Sequence, residues 1–408
     1  MLTIAAGAGL SLLAVAAVGV MVSRTARSED DRRPAREPAG AVFEDGKFKN
    51  LIPGEDPMAR GSMLKTMREF MLDDTTVRVP TAPLPMVPRR GAELASAPEG
   101  GLRITWLGHS TMLIELDGAR VLTDPIWGER ASPVGFAGPK RFFAPPLPLD
   151  QLPPIDAVVI SHDHYDHLDR ETIKALKDKV GLFVVPLKVG EHLRDWGVAD
   201  NKIRELDWWQ ETPVAGLRLV CTPARHFSGR GLLGRDSTLW SSWALLGPAH
   251  RVYFSGDGGM SPSFAEIGER LGPFDVTMME VGAYHPNWAD IHSGPEQAVQ
   301  AHLDLRGGIM MPIHWGTFNL AMHGWTEPAE RLLVAAKQRS VQLAMPRPGE
   351  SVVPSDVMAA ERWWPELPWT SAEEMPVVSP GLTPAPQVRR DDGAATSEAP
   401  TELATIEQ

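Results

Sequence analysis

The spacing of hydrophobic and polar positions changes along the chain and predicts where strands and helices lie. From Leu102 onward, short apolar runs are separated by Gly108 and by the pair Asp117 and Gly118, a pattern typical of a hairpin or meander. The second half alternates runs of strand length with amphipathic runs of helix length. The pattern predicts an α/β (α+β) fold in which two mixed sheets pack together and are flanked by helices.

Individual elements follow from the same spacing. Helices are predicted at residues 169–178, 189–196, 262–271, 295–305 and 327–337. Besides the meander, strands are predicted at residues 155–160, 182–185, 202–206, 211–213, 217–222, 237–246, 251–255, 276–281 and 309–313. A loop rich in proline and aromatic residues spans 126–154, and loops of such length commonly contact a substrate or partner.

The two ends of the chain differ in composition from its middle. Residues 2–22 carry no charged side chain and are long enough to cross a bilayer, and five arginines follow between positions 24 and 36. We therefore expect residues 1–23 to anchor the protein in a membrane and leave the rest in the cytoplasm. A signal sequence that is cleaved on export is the alternative. Residues 24–98 are interpreted as a linker or N-terminal arm, 99–356 as the main domain and 357–408 as a largely disordered tail.

The net charge and the cysteine content limit which partners and which metal ligands the protein can have. The formal net charge of -12 gives no basic surface for phosphates of nucleic acid, so nucleic acid is not an expected partner. The single cysteine, Cys221, has no partner for an intrachain disulfide and lies in an apolar run, which excludes thiolate metal sites and favours a structural thiol. Any metal ligands must therefore be nitrogen and oxygen atoms.

The densest group of reactive side chains follows the apolar run at 155–160. It comprises His162, His164, Asp166 and His167. Burying these groups without partners would be costly, and a metal ion would remove that cost. On extended backbone His162 and His164 point the same way, while Asp166 and His167 turn toward a second point. We expect one loop to supply ligands to two adjacent cations; a solvated polar loop is the competing interpretation.

Three later residues each follow an apolar run of strand length. They are His226, Asp257 and His314. Four side chains from the first loop give only two ligands per ion, so further ligands are expected from later strand ends. Each of the three alone is an ordinary residue of a strand end or turn. Together, and in this order after the first loop, they predict a metal centre.

This set of residues resembles the metallo-β-lactamase-fold hydrolase superfamily, over residues 100–350. Within it, several short motifs are similar to the branch that contains N-acylphosphatidylethanolamine-hydrolysing phospholipase D and its bacterial relatives. These motifs lie at residues 106–111, 123–127, 222–226, 282–284 and 314–318. The resemblance implies an αββα metallo-β-lactamase sandwich with a dinuclear zinc centre at the sheet edge.

The resemblance also implies which residue holds which ion. One zinc would be held by His162, His164 and His226, and the other by Asp166, His167 and His314, with Asp257 as the bridge. Manganese or iron suits the same ligands. A hydroxide between two such ions would cleave a phosphodiester, with Asp166 or Asp257 accepting its proton.

Other residues receive weaker roles. By the same resemblance His292 contacts a phosphate or donates a proton, while His109 is expected to orient a ligand, with a structural role as the alternative for each. Tryptophans at positions 208, 209, 240, 243 and 288 suit either an apolar substrate or core packing.

The expected activity is hydrolysis of an N-acyl phospholipid or another phosphodiester, in the manner of a phospholipase D. A metal-dependent lactonase or esterase on the same scaffold is the first alternative. A non-catalytic metal-binding scaffold at the membrane is a second alternative, of another class. The membrane is an expected partner through the N-terminal segment, and a second copy of the chain, in a homodimer, is a further candidate partner.

Overall fold

The computed structural model describes residues 40–54, 68, 72, 76–231, 234–357, 360–379 and 382. The segment 2–22, expected to be a membrane anchor, lies outside these residues. Among the residues that are described, none of the helices has the length and apolar character needed to span a bilayer.

Strands form two mixed seven-stranded sheets and one small hairpin within the described residues. The first eight strands are β1 (Val42–Glu44), β2 (Lys47–Lys49), β3 (Leu102–Gly108), β4 (Thr111–Leu116), β5 (Ala119–Thr123), β6 (Ile155–Val159), β7 (Val180–Pro186) and β8 (Ile203–Leu206). The other eight are β9 (Glu211–Val214), β10 (Leu217–Thr222), β11 (Ser242–Leu246), β12 (Arg251–Phe254), β13 (Phe274–Glu280), β14 (Gly307–Ile313), β15 (Gln342–Leu343) and β16 (Ser351–Val352).

The first sheet has the strand order β16-β3-β4-β5-β6-β7-β8. Strands β3, β4 and β5 form the predicted antiparallel meander, and β6, β7 and β8 continue it in parallel. Asp117 and Gly118 both adopt positive φ, 48° and 92°, at the two-residue turn between β4 and β5. Such turns match the twist of the flanking strands, which explains why this pair of residues marks the hairpin in the sequence.

The second sheet has the order β15-β14-β13-β12-β11-β10-β9. Its strands β9 to β12 are antiparallel neighbours, whereas β12, β13, β14 and β15 run parallel to one another. The carboxyl ends of β12, β13 and β14 therefore reach the same edge of the sheet. Residues that follow these three strands are brought close together at that edge.

Helices cover the outer faces of both sheets. In the described residues they are α1 (Arg170–Leu176), α2 (Gly190–Asp195), α3 (Ser263–Leu271), α4 (Pro295–Asp304) and α5 (Glu327–Arg339). Helix α1 packs Ile173 and Leu176 on the first sheet, while α4 contacts β13 and β14 of the second. Asp169 caps α1 by accepting a hydrogen bond from the Glu171 amide. The resulting order of layers, helices, sheet, sheet and helices, is the predicted αββα sandwich.

The main core lies between the two sheets. Ile114 of the first sheet and Leu245 of the second belong to one buried cluster, which also contains Trp208, Trp240 and Trp243. These three indoles are at most 2% exposed, so core packing is the correct choice between their two proposed roles. All six residues of β4 are buried, because one face meets the second sheet and the other contributes Leu113 to the cluster under α1 and α2.

Both flanking segments contribute to the domain. In the N-terminal arm, β1 and β2 form a hairpin whose Phe48 is 2% exposed. After the last strand, residues 360–379 run across α5, where the indole Nε1 of Trp364 donates to Glu330 Oε1 at 2.8 Å. Trp364 is buried and packs edge-on against Trp315. This part of the predicted tail is therefore ordered by packing, while residues 383–408 lie outside the described part of the chain.

Candidate metal centre

Strand ends from both sheets deliver the predicted ligands to one place. The histidine-rich loop begins three residues after β6 of the first sheet. From the second sheet, His226 follows β10, Asp257 follows β12, and His314 is the residue directly after β14. Because these loops leave adjoining sheet edges, side chains that are up to 152 positions apart in the sequence become neighbours. The predicted convergence of the three later residues on the first loop is present in the structure.

The backbone turns sharply at several of these strand ends. His109 after β3 and His314 after β14 adopt the left-handed region, with φ of 53° and 63°. Non-glycine residues in this region are strained, and such strain clusters at functional sites. Gly282 lies so close to this turn that a Cβ there would come within 2.0 Å of the His314 carbonyl oxygen. The sharp turns aim ligand side chains inward instead of continuing along the strand.

One ligand set consists of three histidines. The distance from His162 Nε2 to His164 Nδ1 is 2.8 Å, and that from His226 Nε2 to the same His164 atom is 3.3 Å. The three nitrogens lie within 4.8 Å of one another, which is the arrangement needed to hold a single ion. When one ring nitrogen of a histidine carries a hydrogen and donates it to another group, the other ring nitrogen keeps a lone pair that can bind the ion. His226 is such a histidine, since its Nδ1 is 2.8 Å from the Ile291 carbonyl oxygen.

The other set lies beside the first. Asp166 Oδ2 is 3.4 Å from His167 Nε2 and 3.3 Å from His314 Nε2. Asp257 Oδ2 lies 3.1 Å and 3.0 Å from the same two nitrogens. It is also 4.0 Å from Nε2 of both His162 and His226. Asp257 is therefore the carboxylate that both sets share.

Unsatisfied buried atoms in this cluster fit a metal. Among the described residues, His167 Nε2 and Asp257 Oδ1 are buried and lack a hydrogen-bond partner. Buried polar atoms without partners are rare and costly, so a group that binds them is expected. Imidazole nitrogens and carboxylate oxygens are the donors that divalent transition metals prefer. The residues form a cluster capable of binding metal.

The electrostatics differ between the two ligand sets. Burial lowers the pKa of His162 and of His226 well below the usual value, which keeps both imidazoles neutral and able to coordinate. Burial also acts to lower the pKa of His314, but the negative charges of Asp257 and Asp166 raise it to about 10. Positive charge is thus stabilised between the carboxylates, at the position where a cation would lie.

Comparisons with known proteins agree with this geometry. Residues 119–315 match a family model described as "Beta-lactamase superfamily domain". An uncharacterized protein of Mycobacterium tuberculosis is 48% identical over 330 residues, which cover 79% of this chain and 87% of that protein. N-acyl-phosphatidylethanolamine-hydrolyzing phospholipase D 1 of Caenorhabditis elegans is 37% identical over 317 residues, covering 74% of this chain and 87% of that protein.

The chain belongs to the metallo-β-lactamase-fold hydrolases, in the branch of the N-acylphosphatidylethanolamine-hydrolysing phospholipases D and their bacterial relatives. Among solved structures, an isothiocyanate hydrolase from Delia radicum gut bacteria is 22% identical and covers 62% of this chain and 98% of its own, with a TM-score of 0.51. That likeness concerns the fold. The predicted family, the αββα sandwich and the enzyme class are confirmed.

A carboxylate that the sequence analysis left without a role orients the first loop of this hydrolase. Asp124 is fully buried directly after β5, and its Oδ1 accepts a hydrogen bond from the Ser161 amide at 2.7 Å. Its Oδ2 lies 2.7 Å from His167 Nδ1 and accepts from the Ser161 hydroxyl. A carboxylate at Nδ1 would leave the Nε2 lone pair of His167 available to a metal ion. Asp124 lies within the motif at 123–127, but its distance from His167 along the sequence does not predict that the two side chains are in contact.

A residue of the N-terminal arm, Asn50, fixes the backbone of a second predicted ligand, His226. Asn50 donates from Nδ2 to the His226 carbonyl oxygen at 2.7 Å, and its Oδ1 accepts from the His226 amide at 3.0 Å. The same Oδ1 accepts from the Trp240 indole at 3.0 Å. Asn50 thus fixes both backbone groups of a predicted ligand 176 positions away. A lone asparagine in a linker carries no sequence signal for such a contact.

His109 and His292 lie beside the cluster, as expected for accessory residues. His109 Nε2 is 3.0 Å from Asp166 Oδ2, which places it where an orienting histidine is predicted. His292 Nδ1 is 3.9 Å from Asp257 Oδ2, and its side chain is 15% exposed. The Nδ1 atom also contacts Glu280, a buried glutamate that the sequence analysis did not single out.

A small recess of about 20 Å³ adjoins the cluster at His314. Its lining combines apolar side chains, such as Phe318 and Trp325, with polar ones, such as Asn319 and His323. Phe318 also packs edge-on against His109, with ring centroids 5.2 Å apart. A recess of this size has room for about one water molecule beside His314.

Proposed function

We propose that the protein is a dinuclear zinc hydrolase that cleaves a phosphodiester of an N-acyl phospholipid, as a phospholipase D does. The observation that carries the proposal is the position of Asp257 Oδ2, within 3.0–4.0 Å of four imidazole nitrogens that belong to both ligand sets. A carboxylate so placed can bridge two ions. The relative from Caenorhabditis elegans is named for hydrolysis of N-acyl phosphatidylethanolamine, and this supports the choice of substrate.

The position of each residue indicates its role in the proposed reaction. When bound, two divalent cations supply an acidified water and positive charge for an in-line displacement at phosphorus. Asp257 Oδ1 has no hydrogen-bond partner among the described residues and can accept the proton of the attacking water. Asp166 Oδ2 is held by His109 and serves as a ligand. His292, beside the cluster and part-exposed, can contact the phosphoryl oxygens.

Apolar surface near the site supports a lipid as the substrate. The loop between β5 and β6 presents Phe136, whose residue surface is 73% exposed. Exposed aromatic side chains of this kind are favourable at a membrane surface or against acyl chains. This loop leaves the sandwich at the same end as the histidine-rich loop, because β5 and β6 are parallel.

An assay with three substrates tests the proposal. The full-length protein loaded with zinc is given an N-acyl phosphatidylethanolamine in mixed micelles, bis(p-nitrophenyl) phosphate and an aryl lactone. We expect release of phosphatidic acid from the lipid, loss of most of this activity in Asp257→Asn, and retention of it in His250→Ala. His250 is a suitable control because its Nδ1 pairs with Asp117 outside the cluster, at 2.7 Å.

The other outcomes separate the alternatives. Turnover of the lactone with no cleavage of either phosphodiester would replace the proposal by a lactonase or esterase. Metal bound by the parent protein without hydrolysis of any of the three substrates would favour a non-catalytic scaffold. Activity restored better by manganese or iron than by zinc would keep the hydrolysis and change the metal.

We also propose that residues 2–22 attach this hydrolase to a membrane, with the catalytic domain in the cytoplasm. The uncharged length of this segment and the arginines after it support the proposal. Fractionation of cells that produce the full chain, followed by protease treatment of sealed vesicles, tests it. The domain should sediment with membranes and resist protease added from the outside of right-side-out vesicles. A soluble, shortened chain in the exported fraction would instead identify a cleaved signal sequence.

A further inference from the structure

Glu280 is the last residue of β13, and each of its carboxylate oxygens has a partner. Oε2 accepts a hydrogen bond from the Gly258 amide at 2.6 Å, and Oε1 contacts His292 Nδ1. The glutamate is 2% exposed, so neither contact competes with bulk water. One buried side chain thus joins two loops, the one that carries the predicted ligand Asp257 and the one that carries His292.

The surrounding backbone keeps Glu280 in place. Its own amide donates to Ser255 Oγ at 2.9 Å, and its strand lies between β12 and β14 in the sheet. The Gly258 carbonyl accepts from the Ser293 amide at 3.1 Å and from the Ser293 hydroxyl at 2.8 Å. Both backbone groups of Gly258 are therefore bound, the amide by Glu280 and the carbonyl by Ser293, the residue after His292.

The orientation of the His292 ring depends on this contact. The ring centroid lies 5.1 Å from that of His226 and 5.5 Å from that of His314, beside both ligand sets. Nδ1 faces Glu280, and Nε2 has no hydrogen-bond partner among the described residues. The final side-chain torsion of histidine has broad, roughly two-fold preferences, so a partner at one nitrogen is needed to fix the ring.

We propose that Glu280 is the positioning residue of His292: it fixes the ring orientation and holds the ring in one tautomer, so that Nε2 faces the substrate. A carboxylate that faces one ring nitrogen sets which nitrogen carries the proton and which is presented to the substrate. The proposal rests on the proposed function, since it assumes that a phosphoryl group lies beside His292. Glu280 touches no reacting atom itself and acts through the histidine.

A role for Glu280 as a metal ligand is the main competing explanation. Glu280, His292, Asp257 and His314 together offer atoms within 4.8 Å of one another, which is close enough to hold an ion. However, Glu280 Oε2 is already bound by the Gly258 amide, and Oε1 by His292. A positioning role leaves the metal content unchanged when Glu280 is altered, whereas a ligand role does not.

The kinetic test compares single and double variants of the full-length zinc enzyme. Glu280→Gln keeps the size of the side chain but cannot accept at both oxygens. We expect it to lower kcat/KM for the phosphodiester by about a hundredfold, as for a misplaced catalytic group. Added to His292→Ala, the same change should alter kcat/KM by less than about twofold, because residues that act as one unit are not additive. Zinc content should equal that of the parent.

The control is Glu115→Gln, which alters another buried glutamate. Glu115 is 2% exposed and pairs with Arg103 and Arg120 on the first sheet, away from the cluster. Its substitution should leave kcat/KM close to that of the parent. A loss of zinc in Glu280→Gln would overturn the positioning role, and so would a hundredfold loss that persists in the His292→Ala background.

A spectroscopic readout keeps the test independent of the substrate. In protein labelled with 15N-histidine, the His292 signals should report a single tautomer in the parent. In Glu280→Gln these signals should shift or divide between two tautomers, while Glu115→Gln retains the parent pattern. Unchanged His292 signals in Glu280→Gln would refute the inference. If the parent cleaves no phosphodiester but the signals change as expected, the proposed function fails and the contact of Glu280 with His292 stands.

Discussion

At the scale of single residues, the accuracy of the metal cluster depends on side chains that touch no metal. The two carboxylate oxygens of Asp124 lie within 2.7 Å of the Ser161 amide and hydroxyl and of His167 Nδ1. Burial raises the pKa of Asp124, and the contact with His167 acts in the opposite direction. A group in such a position fixes both the tautomer and the direction of the imidazole, which a ligand on a loop could not maintain alone.

Replacing Asp124 by asparagine should therefore weaken metal binding. Asparagine can accept at only one atom, so either Ser161 or His167 loses its partner. We expect the affinity of the second ligand set for zinc to fall about ten- to a hundredfold, as for other residues that orient ligands. Competition with a chromogenic chelator measures this affinity. Asp117→Asn alters a similar carboxylate–histidine pair outside the cluster and should have no effect; equal affinities in the two variants would contradict the role of Asp124.

The ligands could be predicted from the sequence because each one follows an apolar run, and their order along the chain is informative. Their supporting residues could not. Asp124 is 43 positions from His167, and Asn50 is 176 positions from His226. Glu280 is only 12 positions from His292. It lies at the end of an apolar run, however, and the periodicity of that run does not predict which residue the glutamate contacts. Such pairings are set by the packing of the two sheets, and no local pattern encodes them.

At the scale of elements, the N-terminal arm is part of the metal centre. The hairpin of β1 and β2 is anchored by the buried Phe48, whose amide donates to the Asp236 carbonyl oxygen at 2.8 Å. Asn50 follows the hairpin directly and reaches the backbone of His226. The segment that links the domain to residues 2–22 therefore also supports a ligand of the first set.

Asn50→Ala should release this support. Both backbone groups of His226 lose a partner, and the histidine gains freedom to leave its position. We expect about tenfold weaker binding of one of two zinc equivalents, with the other unaffected. Stepwise chelation followed by zinc analysis distinguishes the two equivalents. Lys49→Ala, at the exposed neighbouring position, is the matched control. Simultaneous weakening of both equivalents would show that the arm stabilises the whole domain instead.

Local pattern predicted the long elements well and failed for short ones. Helix α5 was expected at 327–337 and spans Glu327–Arg339. The strand expected at 237–246 contains only Ser242–Leu246. Leu239 instead donates its amide to the carbonyl oxygen of Leu187, the residue directly after β7. Strands β15 and β16 have two residues each, too few for any periodicity to appear.

The segment 360–379 shows how composition can mislead. Its prolines and glutamates favour disorder when considered locally. Its tryptophans nevertheless lie against Trp315 and against Glu330 of α5, which are far away in the sequence. Arg362 pairs with Glu330, and the Trp363 indole donates to the Met345 carbonyl oxygen at 3.2 Å. Burial by distant partners decides the state of this segment, and that information is absent from its own sequence.

Trp364→Ala should consequently destabilise the domain. The indole is 4% exposed and fills space between Trp315 and α5, so its removal leaves a cavity and an unpaired Glu330 oxygen. The free energy of unfolding should fall by about 3–5 kcal/mol. Urea denaturation followed by far-UV circular dichroism measures the change. Trp369→Ala, at a position 37% exposed, should have a smaller effect; equal losses at both positions would argue against burial as the cause.

At the scale of the whole molecule, the two sheets meet at the metal cluster as well as in the core. The first sheet supplies His162, His164, Asp166 and His167, and the second supplies the remaining three predicted ligands. A bound cation therefore joins the sheets at the open edge of the sandwich. Without it, buried carboxylates and imidazoles must be stabilised by protons alone, as the raised pKa of His314 indicates.

Metal binding should for this reason stabilise the folded chain. A ligand that binds only the native state adds about 4 kcal/mol to the free energy of unfolding when its free concentration is a thousand times the dissociation constant. We expect chelation to lower the urea midpoint and added zinc to restore it, whereas magnesium, which prefers oxygen donors, should not. His162→Ala should respond less than the parent, since one ligand set is incomplete. If the parent unfolds at the same urea concentration with and without chelator, the cluster does not join the two sheets through a cation.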